Sequence, residues 1–158
     1  MDILNLAYPE KSKVKFKEYN FPDGQNQIII ENLESKIVTI YSRLNTFIHL
    51  EKIICATKSL RELGVKEIHL YTPYFLGNRS DRKFEEGSNN YLKDVICPII
   101  NSLKFESVTV LDPHSDVLEA CLNNFKRIDN LQLVTFAFGR MNNPVLEKNN
   151  FILISPDA

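Results

Sequence analysis

Cysteine is scarce in this sequence: Cys55, Cys97 and Cys121 stand far apart along 158 residues, each within a largely apolar, helix-like pattern. An odd number at such spacings favours buried thiols, since a disulfide framework or a zinc site would need closer or paired spacings. No apolar run approaches the roughly 20 residues that a membrane helix needs, so no membrane is expected as a partner. The opening Met-Asp-Ile-Leu-Asn has neither a basic flank nor a small-residue cleavage site. Without a visible secretory signal, the cytoplasm is the expected location. An excess of either charge is missing too, since 19 Lys and Arg against 20 Asp and Glu leave a net charge of −1. Nucleic acid and anionic membranes are therefore not expected partners, and a local cluster such as Arg79, Arg82 and Lys83 stands for a site rather than a surface field. No repeat, Gly-x-Ser-x-Gly, Gly-x-Gly-x-x-Gly, Walker-type loop or paired Cys and His occurs, so nothing indicates a nucleophilic triad or a glycine-rich phosphate loop.

What is present is average for one soluble globular domain, with 44% hydrophobic and 25% charged residues and enough length to bury a core. Strands are expected over 3–7, 14–19, 27–31 and 36–41. Phe21-Pro-Asp-Gly-Gln25 separates the second from the third. Pro fixes φ and Gly permits a positive φ, so this pair is expected to form a hairpin. Over 46–63 apolar residues recur near helical period, and Gly64 supplies the stop. Strands over 66–75 and 106–111 bracket a helix over 88–103. Pro98 inside that helix removes a backbone donor at a cost of roughly 3 kcal/mol, which predicts a kink or break. Ser115 is read as the N-cap of a short helix through Asn123, and 131–137 and 151–155 as further strands. Strands alternating with helices predict an α/β layered fold around a mostly parallel sheet, a single domain carrying a β-hairpin.

In such sheets ligands bind beyond the carboxyl ends of the strands. Three ends here carry ionic groups: the loop over 76–83, the turn Asp112-Pro-His114, and Asp157. Crossover spacing makes the first two neighbours. Arg79, Arg82 and Lys83 suit phosphate, with Ser80 and the amides beside Gly77 adding hydrogen bonds; a solvated loop with a surface ion pair to Asp81 accounts for the same residues. Asp112 and His114, completed by water and phosphate, suit Mg²⁺ or Mn²⁺ better than Zn²⁺, while a structural turn bent by Pro113 is the alternative. His49 and His69, in a helical and a strand pattern, are expected to be packing or surface residues. Arg, Lys, His and carboxylates around a magnesium-bound nucleotide suit phosphoryl transfer, which depends mostly on positioning and charge stabilisation.

Pro73-Tyr-Phe-Leu-Gly-Asn-Arg-Ser-Asp-Arg-Lys83 resembles the Pro-Tyr-Phe-x-Tyr-x-Arg-Gln-Asp-Arg/Lys signature of ribose-phosphate pyrophosphokinases, the synthetases of phosphoribosyl pyrophosphate. Val110-Leu-Asp-Pro-His114 resembles that family's strand ending in Asp-Leu-His. Phe21-Pro-Asp-Gly-Gln25 is similar to its Phe-x-Asp-Gly-Glu loop, and Ile154-Ser-Pro-Asp157 to its Ser-Pro-Asp. The resemblance implies a phosphoribosyltransferase-like three-layer fold and transfer of pyrophosphate from MgATP to C1 of ribose 5-phosphate, releasing AMP. It assigns adenine to Phe21, Asp23, Gly24 and Gln25 across a subunit interface, hence a homo-oligomer. ATP contacts fall on Arg79, Ser80 and Asp81, and the Mg²⁺ site on His114 and Asp157 beside Asp112.

This sequence departs from the pattern in several places. Gln25 replaces an acid, although its amide oxygen still accepts one hydrogen bond. Ser80 is shorter than the family's Gln, Phe47-Ile-His49 stands where Asn-Asp-Asn is usual, and the first helix is abbreviated. The family's second domain, with its catalytic Lys and Arg and its ribose 5-phosphate loop, would begin where Ala158 falls, so no catalytic residue is expected in this amino-terminal half. Three readings follow: half of an enzyme completed by a partner chain, a non-catalytic nucleotide-binding chain that assembles with or regulates a complete enzyme, or an α/β domain whose motifs have decayed.

Overall fold

Residues two apart along the strands share one face of a sheet, and Val38 and Ile40, Ile68 and Leu70, and Val108 and Val110 are all buried. The computed structural model describes residues 1–140. The strand expected over 151–155 and the candidate ligand Asp157 lie outside the described residues. The chain divides into two units, Met1–Ile128 and Asp129–Ala158.

The first unit is built on five parallel strands, β1 (Asp2–Asn5), β4 (Ile37–Tyr41), β5 (Glu67–Thr72), β6 (Ser107–Leu111) and β7 (Phe125–Ile128), in the order β1-β4-β5-β6-β7. Register aligns Leu4, Ile40, Leu70, Val108 and Phe125 across the sheet. The middle three of that row and Leu4 are buried in one core with Leu50, Ile53, Ile96, Ile100 and Leu118 of the helices. Burying one such aliphatic side chain stabilises by about 1.5–3 kcal/mol, so a one-residue slip in register would expose the whole row. The next row, Asn5, Tyr41, Tyr71, Thr109 and Lys126, points the other way, with Tyr41 and Tyr71 stacked at 5.3 Å between ring centroids.

Strands β2 (Lys15–Asn20) and β3 (Asn26–Asn32) form the expected antiparallel hairpin. Its turn places Gly24 at φ +92°, with Gly24 N donating to Phe21 O at 2.9 Å. Helix α1 (Phe47–Glu62) is capped by Thr46, whose side chain accepts from His49 N, and ends before Gly64 at φ +76°. One α-helical turn rises about 5.4 Å and two strand residues about 6.7 Å. Glu51, Cys55 and Ser59, one turn apart on α1, follow the first residues of β3, the first two meeting Asn26 and the third Ile28. Glu51 accepts from the Asn26 backbone and side-chain amides, Cys55 Sγ donates to Asn26 O at 3.3 Å, and Ser59 Oγ donates to Ile28 O at 2.7 Å. Lys52 pairs with Glu18 at 2.5 Å beside them.

The break expected at Pro98 is present as a change of helix type. A π-helical turn, Tyr91–Ile96, leads into α2 (Cys97–Ser102), and Cys97 N donates to Leu92 O, five residues back. Pro98 has no amide to offer and its ring would crowd the carbonyl four residues earlier; the wider π turn accommodates both. Helix α3 (Val117–Cys121) is shorter than the expected helix and is not capped by Ser115. Asp116 stands at the N-cap with no side-chain cap and pairs instead with Arg127 at 2.7 Å.

The expectation of a strand over 131–137 is corrected. Residues Asn130–Arg140 form helix α4, and the edge beside β6 is taken by β7. Phe-Lys-Arg-Ile carries too few apolar residues to stand out as a strand, while a short apolar run such as 131–138 fits either period.

Candidate functional site

Beyond Thr72 the chain leaves β5 and is fastened at once. Thr72 Oγ1 donates to Tyr74 O at 2.5 Å, Leu44 N donates to Tyr74 O at 3.0 Å, and the Phe75 side chain is fully buried. This anchoring lets the following residues project from the carboxyl edge of the sheet. Gly77 has φ +77°, and a Cβ there would lie 2.9 Å from Tyr91 Cδ1, so both conformation and space require glycine. Ser80 N donates to Gly77 O at 2.8 Å, and Leu92 N to Ser80 O at 3.1 Å, which closes the loop against the π turn.

Strand β6 ends on Asp112, whose φ of +48° is the left-handed conformation that Asp tolerates better than most residues. Asp112 N donates to Ile128 O at 2.8 Å. The chain then turns through Pro113 to His114 and meets the other loop twice. His114 N donates to Asn78 Oδ1 at 3.1 Å, and Ser115 Oγ donates to Asp81 Oδ2 at 2.6 Å. The expected proximity of the two strand ends is therefore direct contact.

Arg79, Asp112 and His114 are exposed. Arg79 forms no ion pair with a carboxylate among the described residues. Asp81 forms no ion pair among the described residues, against the solvated-loop alternative. The Ser115 hydroxyl bond holds its carboxyl below the usual carboxylate range, and His114 and Arg82 nearby add to that effect. Arg82 lies 6.0 Å from the Phe84 ring centroid. Among the described residues no group of three or more His, Cys, Asp and Glu is gathered to hold a metal ion.

Phe21, Asp23, Gly24 and Gln25 form the hairpin turn. Phe21 is exposed and meets Tyr19 edge to face at 4.9 Å, and Asp23 Oδ1 accepts from Gln25 N at 3.4 Å. Because Asn26 and Glu18 are held by the first turns of α1, which starts where β4 ends, this turn lies toward the same carboxyl edge. His49 is engaged locally, its Nδ1 3.2 Å from Thr46 Oγ1, and His69 Nδ1 lies 2.8 Å from Ser107 Oγ across the strands.

A feature absent from the sequence reading is a cleft of about 480 Å³ at the ends of β1 and β4, lined by Ala7, Ser42, Arg43, Asn45, His49 and Lys52 among others. Polar Ser-Arg-x-Asn directly after an apolar strand is the signal that marks it.

No protein-family model matches the chain. Over 104 residues it is 25% identical to a ribose-phosphate pyrophosphokinase of Saccharolobus solfataricus, a match covering 64% of this chain and 35% of that protein. The crystal structure of phosphoribosylpyrophosphate synthetase from Mycobacterium smegmatis has the same fold, with a TM-score of 0.69 and 12% identity over 89% of this chain and 53% of that one. This chain thus spans 35% and 53% of the two relatives' lengths. The resemblance carried by the segments from Pro73 to Lys83 and from Val110 to His114 is borne out by a relative in sequence and a neighbour in fold: the chain is similar to ribose-phosphate pyrophosphokinases.

Proposed function

We propose that this chain is the ATP- and magnesium-binding half of a ribose-phosphate pyrophosphokinase, an enzyme that moves pyrophosphate from ATP to C1 of ribose 5-phosphate and releases AMP. The observation that carries this reading is the joining of the loop over 76–83 to the turn over 112–115 through the Asn78–His114 and Asp81–Ser115 bonds. Arg79 would bind the polyphosphate through a planar, charge-assisted fork, while Ser80 contributes a hydroxyl and Asp81 holds the loop on the turn. Phe21 would cover one adenine face, with Asp23, Gly24 and Gln25 offering hydrogen-bonding groups at its edge. Magnesium is held through one or two protein side chains with phosphate oxygens and water, a requirement that the sparse pair Asp112 and His114, with Asp157, fits better than a zinc cage would. When bound, the ion would neutralise phosphate charge. The residues of this half then orient the nucleotide, and attack by the sugar hydroxyl requires groups from a partner chain or a second domain.

The chain's partial coverage of its relatives favours keeping a second reading, a nucleotide-binding chain that regulates a complete enzyme. Calorimetry of the assembled protein with MgATP, followed by an AMP assay with ribose 5-phosphate and a carboxyl-terminal half supplied in trans, separates the two. Binding that weakens tenfold or more in Arg79→Ala, about 1.4 kcal/mol, together with AMP formation, supports the enzyme. Binding without AMP supports the regulatory chain. No binding by the oligomer and no effect of Arg79→Ala would sink both.

A further inference from the structure

We propose that Cys97 and Cys121 are a thiol-oxidation site that closes into an intramolecular disulfide tying α2 to α3. This proposal is independent of the nucleotide reading. Cys97 opens α2 and is buried, whereas Cys121 closes α3 and is half-buried. The Cys121 thiol lies near enough to Cys97 to act on its proton. One turn along α2, Asn101 clasps the end of α3 from the same side: its Nδ2 donates to Cys121 O at 2.9 Å, and its Oδ1 accepts from Asn123 N at 2.9 Å. The pair is therefore held together by neighbouring bonds that do not involve sulfur. Cys55 sits apart on α1, its thiol donating to Asn26 O, and serves as an internal control.

The oxidant is a peroxide. The more accessible Cys121 sulfur attacks hydrogen peroxide; an S–O bond forms, the O–O bond breaks, and hydroxide leaves and takes up the thiol proton as water. Cys97 sulfur then attacks the Cys121 sulfenic acid. The S–S bond forms, the S–O bond breaks, and a second water departs with the Cys97 proton. Two thiols lose two electrons and the peroxide gains them. Burial first, and the neighbouring Cys121 second, push the Cys97 thiol up to about 12. Cys97 is thus the slow, resolving partner, brought to reaction by proximity.

The reduced full chain, exposed to hydrogen peroxide and digested without reductant, should yield a peptide pair linking Cys97 to Cys121, lighter by two hydrogens than the sum of its parts. Titratable thiols should fall from three to one and return with dithiothreitol. Cys97→Ser and Cys121→Ser should each abolish the link and Cys55→Ser should leave it. If the variants fail to fold, differential alkylation of the wild-type chain gives the same count. Sulfinic acid at Cys121 beside a free Cys97, cross-links between two chains, or no link under conditions that oxidise the urea-unfolded chain would each overturn the proposal.

Discussion

Asp81 shows how one side chain can be legible in kind and misjudged in partner. Its place among Arg79, Arg82 and Lys83 allows a phosphate loop or a surface ion pair, yet its carboxylate accepts from Ser115, a residue whose own spacing suggests a helix cap. A hydroxyl four residues beyond a strand end serves either role, and only the approach of the two loops decides between them. The bond has a pH consequence. Folding lowers the Asp81 pKa, with Ser115 the largest cause, so the charged form is favoured in the folded state. The stability it contributes is complete above the unfolded carboxylate value of about 3.9 and is lost as pH falls through the lower folded value. Because the carboxylate is partly solvated the effect is small. The thermal midpoint of Asp81→Asn should therefore change less than that of the wild type between about pH 5 and about pH 3. Parallel falls in the two proteins would mean that the loop and turn are not coupled through this bond.

Elements defined by period and punctuation were readable, and those defined by competition for space were not. The hairpin follows from Pro22, Asp23 and Gly24, and α1 from Thr46, its apolar spacing and Gly64, because each signal acts within a few residues. Pro98 announced a break without revealing that a π turn would absorb it. Neither β7 nor α4 was foreseen, since the choice between 125–128 and 131–137 for the sheet edge depends on which segment reaches β6 first after the tight turn at Asn124, φ +54°. The candidate site was legible as two strand ends, but the cleft with Arg43 and Lys52 arises from packing between β1, β4 and α1. At this scale the hairpin's attachment is testable. Glu51 and Ser59 contact the β3 backbone from one helix face, and losing each buried or half-buried bond costs about 0.5–1.5 kcal/mol. The double variant Glu51→Ala, Ser59→Ala should lose amide protection over 15–32 by hydrogen exchange while 37–41 and 67–72 keep theirs. Equal loss in hairpin and sheet would show that they open as one unit.

At the scale of the molecule, all five parallel strands, the hairpin and the buried row from Leu4 through Val108 fall within Met1–Ile128. That unit contains its own core, and none of the buried side chains named above comes from beyond it. Helix α4 has the opposite character. Leu131 is 72% exposed and Phe136 59%, with Leu133, Val134 and Phe138 also exposed, so this 11-residue helix carries apolar groups on its surface. A chain ending at Ile128 should unfold in one cooperative transition, with a midpoint within a few degrees of the full chain's and unchanged near-ultraviolet circular dichroism. Loss of cooperativity with dye binding to exposed apolar surface, the behaviour of a molten state, would instead make residues 129–158 part of what stabilises the sheet.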